Sequence, residues 1–139
     1  MSESRQTTVI TLEGARRVLD AAVSEAERMG IAVVVAVCDP SGETVAFGRM
    51  DGAPLLSVGV ARDKAWTVAA FGQPTDWWAE LFAAAPALAA LANGRPLMPV
   101  PGGVPVVVEG EMIGAVGVSG GTAEQDREIA LVAAAAVTP

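Results

Sequence analysis

Apolar residues at Leu12, Ala15, Leu19, Ala22, Val23, Ala26 and Met29 recur at spacings of three and four, with Arg16, Arg17, Asp20, Glu25, Glu27 and Arg28 on the other side. This period predicts an amphipathic helix with one buried face, capped by Thr11 and ended by Gly30. The period then changes. Ile31 to Cys38 is a continuous β-branched and alanine run, too short for another helix and suited to a central strand. Asp39-Pro40-Ser41-Gly42 has the residue order of a type I turn, so Glu43 to Arg49 returns as the second strand of a hairpin.

Past a loop from Met50 to Pro54, Ser57 is placed to cap a helix running from Val58 to about Phe71. Lys64, Thr67 and Phe71 share one face of it, beside an apolar stripe of Val58, Ala61, Ala65 and Val68. Phe71-Gly72-Gln73-Pro74-Thr75 breaks that helix, Asp76 to Ala84 resumes it, and Pro86 begins a short helix ending near Asn93-Gly94. Prolines at 96, 99 and 101 exclude regular structure from Arg95 to Gly103. Val104 to Glu109 and Glu111 to Val118 then form a hairpin about Glu109-Gly110. Thr122 and Gln125 make a capping box for a last helix reaching Ala136. Helices alternating with hairpins, with at least four strands, predict an α+β fold on an antiparallel sheet.

At 139 residues the chain is read as one domain spanning residues 1–139, long enough to bury a core. Hydrophobic residues make up 52% and mean hydropathy is +0.44, yet no apolar run is long enough to span a membrane. The surplus is assigned to small core residues and a buried subunit interface. Net charge −7 argues against nucleic acid or an anionic membrane as partner. The polar start MSESRQTT has no signal-peptide pattern, and the expected location is cytoplasmic.

With no histidine and no tyrosine, the usual general base and the commonest metal ligand are missing, and no metal site is expected. Acid–base work falls to Asp, Glu, Cys38 or Lys64, the only lysine. Cys38 ends an apolar strand and reads as a buried thiol. Gly114, Gly117, Gly120 and Gly121 fit neither the P-loop nor the dinucleotide spacing, and read as close strand–helix packing. All three tryptophans and two of three phenylalanines fall between Trp66 and Phe82, a cluster suited to core, pocket or interface.

Several short motifs occur in a fixed order: Asp39-x-x-Gly42, Arg49-Met50-Asp51-x-Ala53, Ser57, and Ala61-x-x-Lys64-Ala65-x-Thr67. Pro101-Gly102-Gly103-x-Pro105, Ile113-Gly114-Ala115-x-Gly117-Val118-Ser119-Gly120 and Gln125-Asp126 follow. In this order the chain resembles the GlcG/HbpS-like proteins, which include the C-terminal domain of PduO. The resemblance implies a five-stranded antiparallel sheet with helices packed on it, layered like profilin or PAS domains. It also implies a homo-oligomer, dimer or larger. Several members bind haem, and others look like cofactor-free enzymes on small organic acids. This chain departs from the haem-binding pattern because it has no histidine. The remaining axial candidates are Met50, Met29, Met98, Cys38 and, from the K-A-x-T segment, Thr67.

The expected site gathers Arg49, Thr67, Phe71, Gly102, Gly103, Ser119 and Gly120 as ligand-binding residues, with Asp51 and Lys64 as acid/base groups. Arg49 and Lys64 suit a substrate carboxylate or a haem propionate, and glycine amides suit an oxyanion. The bland reading is an ion-pair network in which Asp51 neutralises Arg49 or Lys64. The expected function is a small-ligand or haem-binding accessory protein. The alternative is a cofactor-independent isomerase, lyase or hydrolase on a small organic acid.

Overall fold

The computed structural model describes residues 2–137. Helix α1, Leu12–Met29, is followed by strands β1, Val34–Cys38, and β2, Thr44–Arg49. Helices α2, Leu56–Phe71, and α3, Thr75–Ala84, lead into a 3-10 helix at Pro86–Ala92. Strands β3, Gly103–Val108, and β4, Glu111–Ser119, precede α4, Ala123–Ala134.

The turns form as their residues dictate. Thr11 Oγ1 accepts from Gly14 N and Gly30 closes α1 at φ 74°. Asp39 Oδ1 accepts from Ser41 N, Ser41 Oγ and Glu43 N, while Gly42 turns at φ 87° to donate to Asp39 O. Thr122 and Gln125 form the reciprocal box at the start of α4.

Every pairing in the sheet is antiparallel, in the order β2-β1-β4-β3. Among the described residues there are four strands, as the hairpins alone indicate, and the fifth implied by the resemblance is not formed. The residues before α1 reach β4 through one backbone bond, Ile10 N to Ile113 O, and through Thr8 N to Glu111 Oε1. They meet β4 beyond the end of β1, whose register stops at Cys38 opposite Ala115, and add no strand to the sheet.

Alternation along the strands divides the core in two. Val33, Val35, Val37, Val104, Val106, Val116 and Val118 face α1 and α4. Val34, Ala36, Cys38 and Ala115 face α2, which meets them with Ala61, Ala65 and Val68. Small residues on this side let α2 lie close. A Cβ at Gly117 would stand 2.0 Å from Ala61 O, so only glycine fits there.

Candidate functional site

Strand register brings the expected residues to one end of the sheet. Arg49 pairs with Val34, Val34 with Ser119, and Gly103 with Gly117. The outgoing ends of β2 and β4 thus lie beside the incoming ends of β1 and β3. The start of α2 joins them, because Ser119 Oγ donates to Ser57 Oγ at 3.1 Å. Ser57 is not the expected cap; helix α2 starts at Leu56 and buries the Ser57 side chain against β4.

Most of these groups point inward. Lys64 is 1% exposed; its Nζ donates to Val118 O at 2.9 Å and to Asp126 Oδ2 at 3.2 Å. The other oxygen, Asp126 Oδ1, accepts from Gly121 N at 2.8 Å. Burial lowers the pKa of Lys64, and Asp126 opposes that shift. Gly102 makes the crossing possible. At φ 129°, a Cβ there would lie 2.7 Å from both Lys64 Nζ and Val118 O. Gly103 N donates to Thr75 Oγ1 at 2.9 Å, while Thr67 Oγ1 donates to Asp63 O and accepts from Met98 N. Gly120 is packed against Ala32 O and Val33. These residues pin α2, β4, α4 and the proline-rich segment together.

Phe71 departs from the face it shares in sequence with Lys64 and Thr67. It is 61% exposed at the end of α2, stacked on Trp77 at 5.5 Å and meeting Trp78 edge-on at 5.6 Å.

The open part of the site lies on the other layer. A cleft of about 400 Å³ runs between α1 and the end of β2, lined by Leu19, Asp20, Val23, Glu27, Arg49 and Met50. It continues into a neighbouring depression that adds Asp51. Arg49 Nε and Nη2 both donate to Ala53 O, closing the 50–53 loop. Among the described residues Arg49 forms no ion pair, although Glu27 and Asp51 line the same surface. Arg49 contributes to the rim of this cleft, but its guanidinium turns to the face it shares with Val34 and Ser119, towards Ala53, and the buried Lys64 stands apart with Asp126.

Asp126 is the residue that sequence reading placed in a motif, with Gln125, but not in the site. Its signal was available in the spacing Asp126, Ile129, Ala130, Ala133, which is the buried stripe of α4. Thr75, fully buried and bonded to Gly103, carried no comparable signal.

Four of the five axial candidates do not fit a ligated haem, and Met98, half-buried in the proline-rich segment, is among the described residues the one whose sulfur is unengaged. Thr67 is buried with its hydroxyl engaged on both sides. Cys38 is buried, and burial, with Asp39 nearby, pushes its thiol up to about 12. Met50 Sδ accepts from Val33 N, and Met29 packs on the α1–α4 core. Among the described residues no three acidic or cysteine side chains cluster to hold a metal, and no helix is long and apolar enough to cross a membrane.

A family model described as "Haem degrading protein HbpS-like" matches residues 10–135. An uncharacterised 15.0 kDa protein from the dhaT-dhaS intergenic region of Citrobacter freundii is 36% identical over 132 residues, covering 94% of this chain and 93% of that one. The crystal structure of Klebsiella pneumoniae ORFY superposes with a TM-score of 0.91 at 34% identity, covering 98% of this chain and 95% of that one. A structure of a PduOC:heme complex superposes at 0.84 with 30% identity, covering 94% and 96%.

Proposed function

This chain belongs to the HbpS-like family, and from that footing we propose that it is a small-ligand-binding accessory protein, cytoplasmic and self-associating, whose ligand carries a carboxylate. The observation that supports the reading most is Arg49 at the exposed end of β2, on the sheet face it shares with Val34 and Ser119, without an ion-pair partner among the described residues. A ligand carboxylate meets the guanidinium there. The net charge of −7 disfavours multiply charged anions, so the fit is to a monoanion.

Haem enters this reading from the relatives, since one solved relative is a haem complex. Among the described residues this chain offers it a propionate partner in Arg49 and, of the axial candidates, only the half-buried Met98 with its sulfur unengaged. The acid–base reading with Asp51 and Lys64 draws no support from the geometry, because Lys64 is committed to Asp126 beneath Gly102.

The test is a titration of the purified protein with hemin, followed by absorbance, beside calorimetry with short monocarboxylates. Each is run on wild type, Arg49→Leu and Thr67→Ala. Carboxylate binding weakened about tenfold or more by Arg49→Leu, matching the loss of a charged hydrogen bond, supports the site. A saturable Soret band abolished by Thr67→Ala would overturn it and return iron ligation to Thr67.

A further inference from the structure

The 3-10 helix that follows α3 leaves apolar side chains outward. Pro86–Ala92 reads PALAALA and buries none of its residues; Leu88 and Leu91 are 39% and 40% exposed. The exposed Phe71 is linked through Trp77 and Trp78 to Phe82 of α3, the helix just before Pro86–Ala92. From Leu81 to Gly94 there is no charged residue, in a chain of net charge −7. Nothing within the monomer explains a helix made only of apolar residues and left in water, since a face of this kind marks an interaction surface.

Charge identifies the occupant. Glu80 lies just before the neutral stretch and Arg95 just after it; both are exposed, and neither forms an ion pair among the described residues. A neutral stretch bounded in sequence by one exposed acid and one exposed base can meet a second copy of itself about a two-fold axis with Glu80 of each copy against Arg95 of the other. Elsewhere two chains of net charge −7 repel, and the uncharged face is where they approach at least cost. An anionic membrane is disfavoured by the same charge, and the stretch lacks the Lys and Arg of an interfacial helix.

We propose that a second copy of this chain docks on the face made by Phe71, α3 and Pro86–Ala92, with Glu80 and Arg95 paired reciprocally across the two-fold. This rests on the self-association already proposed and assigns its surface.

The test is sedimentation equilibrium of the full chain across the micromolar range. Variants are Leu88→Asp/Leu91→Asp, Glu80→Arg, Arg95→Glu and the double exchange Glu80→Arg/Arg95→Glu, with circular dichroism to verify folding. All four positions are exposed, so the monomer tolerates the changes. The expected result is a dimer or larger assembly in wild type and a shift to monomer, by at least tenfold in dissociation constant, in the leucine variant. Each single charge reversal weakens association severalfold and the exchange restores it. A monomeric wild type overturns self-association and this surface together. An assembly unchanged by the leucine variant overturns the surface alone, and an exchange that fails to restore association overturns the reciprocal pairing.

Discussion

Helices α1 and α2 lie on opposite faces of one sheet and distribute polarity in opposite ways. Helix α1 buries Ala15, Val18, Ala22 and Ala26 and exposes an outer side carrying the Glu13–Arg17 and Glu25–Arg28 pairs. Helix α2 buries Ser57, Lys64 and Thr67 among its alanines and exposes Leu55, Leu56 and Phe71. The first is an ordinary amphipathic cover, held by apolar contact. The second is fastened by hydrogen bonds to particular atoms of β4, α4 and the proline-rich segment. Directional bonds fix where a helix sits more tightly than apolar contact does, and they free its outer side to carry apolar residues for another purpose.

The largest effect expected on this contrast comes from the buried ion pair. Lys64→Met or Asp126→Ala alone leaves one buried group unpartnered and costs about 3–5 kcal/mol in denaturant unfolding, whereas Lys64→Met/Asp126→Leu recovers most of that loss. A double variant as unstable as the sum of the singles would show that the pair is not the fastener.

Thr67→Val, which frees Met98 N and Asp63 O, is expected to cost about 1–3 kcal/mol. It should also raise amide exchange in the segment around Met98. Equal loss with no change in that segment would break the link drawn between α2 and the proline-rich stretch.

Cys38, on the α2 side of β1, is expected to resist a thiol reagent in the folded protein at pH 8 and to react once unfolded. Its folded pKa is raised to about 12 from 9.0. The stability it contributes is therefore complete below about 9 and is lost as pH rises towards 12. Prompt labelling of folded protein at pH 8 would show that α2 does not seal that face.

The smallest effect belongs to the outer side of α1. Arg17→Ala removes a pair whose side chains are 61% and 78% exposed, and should change stability by less than about 0.5 kcal/mol. A larger loss would mean that this side of α1 is not simply solvated.

What could be read in advance follows from the range of the interactions. The Thr11 and Thr122 caps, the Asp39–Gly42 turn and both hairpins depend on residues within a few positions of one another, and each formed where its spacing placed it. The resemblance overstated the sheet by one strand, and the hairpins counted it correctly. Helix periodicity marked Lys64 and Thr67 as sharing a face, and they do. It misplaced Phe71, because the end of α2 leaves that ring among the tryptophans of α3.

The sequence by itself determined the order of elements and the antiparallel hairpins, since caps, turns and alternation are local. Only the tertiary structure decided which charge meets which. Lys64 finds Asp126, sixty-two positions away, because Gly102 leaves room for its Nζ beneath the end of β4. Arg49 is bonded instead to Ala53 O in the loop that follows it. Partner choice in a folded chain depends on which backbone stands between two groups, and spacing along the sequence carries no record of that.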